Sequence, residues 1–319
     1  MFINRRAFVG LLGASSLAFP SLAQAMNLRI LVGYAAGGAV DVVARAVAEG
    51  LRDTGYTVIV ENKAGASGRL ATEALLASPA DGTTLILAPQ GNLTLYPHVV
   101  KAKFDPLKEL TPIAPACRMS FALAVGASSP ATSLQDFLAQ AARTPAMASF
   151  GTPGAGTAMH FIGTLLGKHA NFSFTHVAYK GGSAAVTDTV GGHLPAVITT
   201  TPNLLPMHRS GQLRILAISD DVPNAALPGV PTFKAAGFPD LSISESFAFF
   251  ARSGTSPALI AQLNQAIGNA VKLPKVSQVL EKAEFTPLTM SPEAMDKQLR
   301  AEHARWARVV QSVGYTPEN

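Results

Sequence analysis

The stretch Ile30–Arg52 reads ILVGYAAGGAVDVVARAVAEGLR. It begins as an apolar strand, passes Gly37-Gly38 and becomes a helix with Asp41 in its first turn. Backbone N–H groups at such a junction point outward and favour negative charge. Three readings of the turn compete: a dinucleotide site, a purely structural glycine turn, and a loop for a small anion. The dinucleotide fits in part, because Gly33, Gly37 and Gly38 precede a helix and the next strand ends at Glu61, near where a ribose-binding acid falls. It fails in detail. The G-x-G-x-x-G spacing is absent, and Glu61 runs on into the turn-like Asn62-Lys63-Ala64-Gly65. The small-anion reading needs only exposed N–H groups and takes precedence. Asp41 and Arg45, four apart, are either a surface pair or a device in which Asp41 fixes the loop or a ligand-bound water.

Working outward, strand and helix alternate. Leu28–Val32 reads as a strand before the helix, and Thr57–Val60 as the next strand. After the loop Glu61–Gly68 come a helix over Arg69–Ser78, a turn at Pro79-Ala80-Asp81-Gly82 and a strand over Thr84–Ala88. This βαβ order predicts a mostly parallel sheet with helices on both faces. Phe121–Val125 is a strand leading out of this unit, and Ser133 with Asp136 has the spacing of a capping box. A second alternation follows: strand Met147–Phe150, helix Ala158–Lys168, strand Phe174–Ala178, helix Ser183–Val190 and strands Ala196–Thr200 and Arg214–Ser219. The tail resumes with a strand over Phe247–Ala251 and two helices opened by Ser256-Pro257 and Ser291-Pro292. The last carries the stripe Met295, Leu299, Trp306, Val310 and Val313. The expected organisation is an export signal at 1–25, a first domain from 26–122 and 246–319, and a second from 123–245. Two connections then cross between domains and form a hinge, and a cleft between two such bodies suits a small ligand.

Composition narrows the function classes. Of 319 residues, 48% are apolar and only 14% charged, which describes an ordered globular chain. Arg5 and Arg6, an uncharged run over Ala7–Leu22 and the small-x-small Ala23-Gln24-Ala25 read as a secretory signal peptide, implying an exported, soluble protein. Asn4-Arg5-Arg6-Ala7-Phe8-Val9 also resembles a twin-arginine signal, so either export route is open. Removing the signal leaves 23 basic against 20 acidic residues, a net +3, with no basic cluster for nucleic acid. Cys117 is the single cysteine; it excludes an intrachain disulfide and reads as a small buried apolar residue. None of the seven histidines shows a tight metal spacing, and no cofactor or metal is expected.

The second unit repeats the opening device. In SFGTPGAGTAMHF, a strand is followed by Gly151, Gly154 and Gly156 and then a helix, with hydroxyls from Thr152 and Thr157. No Gly-Lys-Ser/Thr follows, so this is not a nucleotide P-loop. Two anion-capable loops, one per unit, allow a carboxylate ligand to span the cleft. VAYKGGSAAV adds Tyr179, Lys180, Gly181 and Gly182 between a strand and a helix. Tyr179 offers an aromatic wall or simply fills core, and Lys180 reads more readily as a solvated side chain. His160 lies beside the second loop and reads first as a structural hydrogen-bond group. The only acid–base pair to nominate for an enzyme is His160 with Asp41, and no G-x-S-x-G is present.

Taken in order, Gly37-Gly38-x-x-Asp41-x-x-x-Arg45, VIVENKAGASG, ADGTTLILA, SFGTPGAGTAMHF, HVAYKGGSAAV, LRILAIS and LPGVPTFKAAGFP make the chain resemble the tripartite tricarboxylate transporter receptors, often called Bug-type solute receptors. The resemblance covers nearly the whole exported chain. It implies a type II periplasmic binding fold whose two α/β domains close on a small organic acid, held largely by backbone groups and waters. It also implies delivery to the membrane permease subunits of a tripartite transporter by a monomeric receptor. Carried onto this sequence, the contacts are Tyr34, Ala35, Ala36, Gly37 and Gly38, and Thr152 through Thr157 including Gly154, Ala155 and Gly156. Gly91, Asn92, Tyr179, Gly181, and Thr200 or Thr201 join them, beside Asp41 and His160 from the loops themselves. The sequence departs from the family pattern at Asp220–Asn224, where Arg-Ser is common, and at Glu245-Ser246-Phe247-Ala248, where a Trp is usual. An exported enzyme acting on a carboxylated substrate, or a receptor that signals without transport, are the alternatives.

Overall fold

The computed structural model describes residues 27–101 and 104–315; the export signal at 1–25 lies outside them. The first unit contains β1 (Asn27–Val32), α1 (Ala39–Asp53), β2 (Thr57–Asn62), α2 (Arg69–Leu76) and β3 (Thr84–Pro89). Short helices α3 (Gly91–Thr94), α4 (Tyr96–Val99) and α5 (Pro106–Glu109) lead into β4 (Leu110–Gly126). β1 lies between β2 and β3, parallel to both, with Ile30 beside Val60 and Leu85. β3 is buried along its whole length, as its unbroken Leu-Ile-Leu run requires. β2 is the sheet edge and turns Ile59 to solvent. Val40, Val43, Ala44, Val47 and Leu51 form the buried stripe of α1 at helical spacing.

The second unit contains α6 (Leu134–Arg143), β5 (Ser149–Thr152), α7 (Ala158–His169), β6 (Thr175–Ala178), α8 (Gly182–Val190), β7 (Ala196–Thr200), α9 (Thr201–Arg209) and β8 (Leu213–Ile218). β5 runs parallel between β6 and β7. The tail comprises β9 (Ser244–Arg252), α10 (Pro257–Lys272), α11 (Pro274–Lys282), β10 (Thr286–Pro287) and α12 (Pro292–Ser312).

β4 joins the two units. From Leu110 to Ser120 it pairs with β9; from Phe121 onward it pairs with β7 and β8. β9 pairs in turn with β3. Each parallel set is thus flanked by antiparallel strands; the main order is β2-β1-β3-β9-β4-β7-β5-β6, with β8 and β10 also pairing with β4. The sequence predicts a strand only at Phe121–Val125, yet β4 is 17 residues long. Pro112 and Pro115 hide its first half. Both sit where the β4–β9 register shifts, at bulges that tolerate a missing N–H.

The α12 stripe divides between the units. Met295 and Leu299 pack with Leu31, Ile86 and Phe250 of the first unit. Trp306 and Val310 join Phe161, Leu166 and Phe233 in the second, with Val313 against that cluster. A helix of 21 residues is about 30 Å long, more than one unit's face can cover. Cys117 is buried in the first core, and burial pushes its thiol pKa well up.

Candidate functional site

The opening loop already contains an anion. Gly37, at φ +77°, donates its N–H to Asp41 Oδ2 at 2.8 Å. Arg45 Nε reaches the same oxygen at 2.9 Å, and Asn62 Nδ2 reaches Oδ1 at 2.9 Å. Asp41 is only 3% exposed. Burial alone would raise its pKa, but the hydrogen bonds from Arg45, Gly37 and Asn62, with the Arg45 charge, hold it below the usual carboxylate range. The carboxylate therefore complements the α1 N-terminus from within the protein.

The second loop closes by the same geometry with different chemistry. Gly156, at φ +68°, donates its N–H to His160 Nδ1 at 3.1 Å. Thr157 caps α7, accepting from the His160 N–H while its own hydroxyl donates to Gly154 O at 2.9 Å. The Thr152 hydroxyl also donates to Gly154 O at 2.9 Å, and His176 Nε2 lies 2.7 Å from it. The rings of His160 and His176 stack at 3.8 Å. Burial, reinforced by His160, pushes the His176 pKa down to about 3, so the imidazole beside the Thr152 hydroxyl is neutral near pH 7.

A cavity of about 70 Å³ lies between the units. The first unit contributes Tyr34, Ala35, Gly38, Ala39, Val40 and Pro89, and β9 contributes Phe247. The second contributes Pro153, Met159, Lys180 through Ala184, Thr200 and Asn203. Two helix N-termini thus face one space, α1 from one side and α8 from the other. Both are capped by a glycine, Gly38 and Gly181, and they differ in one respect: α1 has Asp41 in its first turn and α8 has no acidic residue there. The Thr200 hydroxyl is buried and has no hydrogen-bond partner among the described residues.

Of the residues expected from sequence, the structure gathers Tyr34, Ala35, Gly38, Gly181 and Thr200 around the cavity. Gly37 and Asp41 bond to each other behind it. Ala36 is not among the cavity-lining residues. Thr152, Gly154, Gly156, Thr157 and His160 bond within their own loop. The Asn92 side chain meets Tyr34 and Ser67, and Gly91 packs on Glu245. The Tyr179 hydroxyl donates to Asp188, and Thr201 meets Ser120 where β4 changes partners. His160 with Asp41 does not form an acid–base pair, since each serves its own turn. Pro89, Phe247 and Asn203 had no local signal. The exposed α8 N-terminus had one: no side chain able to accept a hydrogen bond follows Gly181 or Gly182 at the fourth position, where Asp41 follows Gly37 and His160 follows Gly156.

The Gly65–Gly68 turn bridges the cleft. Ala66 and Ser67 both hold positive φ, at 48° and 53°, a strained pair in L residues. Ser67 Oγ donates to Ala155 O of the second unit at 2.8 Å. Ser67 O accepts from Tyr34 OH and from Asn92 Nδ2, each at 3.2 Å. This turn therefore links the cavity wall at Tyr34 to the facing unit. Among the described residues no group of His, Cys, Asp or Glu is placed to hold a metal ion, and no helix is long and apolar enough to cross a membrane.

Comparison with known proteins identifies the family. The model of the tripartite tricarboxylate transporter family receptor matches residues 43–315. Protein BugT of Bordetella pertussis is 31% identical over 296 residues, covering 91% of this chain and 90% of its own. The structure is similar to that of Rpa4515 from R. palustris with adipate, at TM-score 0.86 and 27% identity, covering 92% of this chain and 98% of that one. It is also similar to MatC from Rhodopseudomonas palustris with bound malate, at TM-score 0.83 and 25% identity, covering 89% and 98%. Two α/β units joined by crossing strands form the periplasmic binding fold, and this chain belongs to the Bug-type receptors of the tripartite tricarboxylate transporter family.

Proposed function

We propose that the chain is an exported, monomeric periplasmic receptor that captures a small organic acid between its two domains and presents the closed form to a tripartite membrane permease. The first domain would comprise 26–122 with 246–319, the second 123–245, hinging on β4 and β9. The carrying observation is the convergence of two helix N-termini on one interdomain cavity. The acids bound to Rpa4515 and MatC support a carboxylate ligand. The family description supports the transporter partner and a receptor rather than an enzyme.

Closure is coupled to ligand only where the closed state binds it more tightly. A thermal-shift screen of organic acids tests the reading. An acid at 100 times its Kd adds about 2.7 kcal/mol of stability and raises the melting temperature by several degrees. A screen in which no carboxylate moves the transition at millimolar concentration would remove the receptor reading.

A further inference from the structure

We propose that closing the two units on a ligand takes up a proton at Glu245, so that the receptor holds its ligand more tightly as the pH falls. This rests on the receptor reading above and adds a regulatory input to it.

Glu245 stands at the pivot. It pairs with Met119, two residues before Phe121, where β4 leaves β9 for β7. Side chains alternate along a strand, so Glu245 shares a face with Phe247, which lines the cavity. β3 brings Pro89 opposite Phe247, and Gly91 just beyond lies against the Glu245 carboxyl, with which a Cβ there would collide. The acid is therefore directly behind the wall formed by Tyr34, Pro89 and Phe247. It also opens the segment Glu245–Ala248, where the sequence departs from the family pattern.

The carboxyl is isolated. Glu245 is 7% exposed, and its Oε1 has no hydrogen-bond partner among the described residues. The groups that face it supply no cation. The β1–α1 turn contributes Tyr34, whose hydroxyl is engaged by Ser67 and Asn92. α3 contributes the Gly91 N–H, which favours the charged form. α12 contributes Glu302, a second negative charge, with Arg305 3.6 Å from it. β4 contributes Met119; Arg118 belongs to the other face and bonds to Ser244. His98 of α4 and His303 of α12 stack on each other at 4.2 Å. Burial, with the Glu302 charge, outweighs the Gly91 N–H and raises the Glu245 pKa to about 8. Near neutrality the carboxyl in this arrangement holds a proton.

Opening admits water to the cavity wall and shifts α12, which packs on both units. Both changes reduce the burial that keeps the carboxyl neutral, and its pKa falls toward the ordinary glutamate value of about 4.3. A group whose pKa is higher in the closed form favours closure fully below its open-form value. That contribution is lost as pH rises through the closed-form value, about 8. His98 and His176 have lowered pKa values and are already neutral in this window.

Calorimetric titration with malate and with adipate, in buffers of different ionisation enthalpy, counts the protons. Both acids are ionised above pH 7, so uptake belongs to the protein. The wild type should take up close to one proton per ligand at pH 7. Its affinity should fall by up to about tenfold between pH 7 and 8 and level off above about pH 9. Glu245→Gln, neutral at every pH and nearly the same shape, should take up none and bind with one affinity across the range. Glu302→Gln, at a partly exposed position, should move the levelling-off to lower pH, which a merely structural Glu245 would not do. X-ray scattering of the ligand-free protein gives a second readout. Its radius of gyration should rise between pH 6 and 9 in the wild type and stay constant in Glu245→Gln. Binding without proton uptake, or uptake that survives in Glu245→Gln, overturns the inference and leaves the receptor reading standing. If neither acid binds, the receptor reading loses the support of these ligands, and scattering alone decides the proton coupling: a radius that ignores pH, or follows it equally in Glu245→Gln, overturns it.

Discussion

The turns at Gly33–Gly38 and Gly151–Thr157 look interchangeable in sequence, each a strand, a run of small residues and a helix. In the folded chain both are closed by a left-handed glycine whose N–H is accepted by a side chain four residues on. The first uses an ionised carboxylate and keeps Ala35 and Gly38 on the cavity wall. The second uses an imidazole nitrogen, His160 Nδ1, with Gly154 packed against the Ser67 turn. A glycine-rich strand-to-helix junction therefore supplies N–H donors without saying what they bind. The identity of the fourth residue says more, and by that criterion the α8 turn is the open one.

The difference in chemistry predicts different responses to acid, and this is the largest effect expected. His176, which supports the second turn, titrates near pH 3 in the folded protein against an ordinary histidine value of about 6.5. Between those values the unfolded chain holds more protons, so stability falls as pH drops from about 6.5 toward 3, by at most about 5 kcal/mol. His176→Gln should flatten this limb in urea unfolding series. Asp41 has a lowered folded pKa, so its contribution is fully present above the ordinary aspartate value and is lost only as pH falls through the folded value. Asp41→Asn should therefore leave the slope between pH 5 and 6.5 unchanged. An equal flattening in both variants would erase the distinction between the turns.

Much of the fold was readable because local periodicity and tertiary packing agree. The Val43–Val47–Leu51 spacing and the Leu-Ile-Leu strand are instances. The first half of β4 was not, because its prolines are accommodated by bulges against β9, a partner more than 100 residues away. The site was half legible. The first loop announced itself, and its Gly37 N–H is taken by Asp41, while the cavity's Phe247 and Pro89 become neighbours only through the antiparallel β3–β9 pairing. The second loop was conspicuous for its glycines, yet those glycines accommodate a neighbouring chain segment and leave only Pro153 and Met159 of that segment on the cavity.

Side-chain bulk separates the turns next. A Cβ at Gly154 would collide with the Ser67 hydroxyl and side chain of the facing unit. At Gly38 the nearest atom to a Cβ is the loop's own Ala35 O at 3.2 Å. Gly154→Ala should weaken ligand binding about tenfold by opposing closure, with the free protein's melting temperature held, since the strain is relieved on opening. Gly38→Ala should weaken it less. Calorimetry on both variants decides the order, and equal or absent effects would mean that the contact across the cleft is not made in the bound form.

The smallest expected effect isolates the bridge itself. Ser67→Ala removes one hydrogen bond, to Ala155 O, and keeps the bonds that the Ser67 carbonyl accepts from Tyr34 and Asn92. A neutral hydrogen bond of this kind contributes about 0.5–1.5 kcal/mol, so affinity should fall roughly 2- to 10-fold. Because the bond joins the two units, the loss should appear in the dissociation rate and leave association nearly unchanged. Ser67→Gly would remove the same bond and relieve the positive-φ strain at that residue. If Gly restores affinity that Ala loses, backbone strain outweighs the hydroxyl in setting closure. If both lose it equally, the Ser67–Ala155 hydrogen bond is what holds the second turn against the first unit.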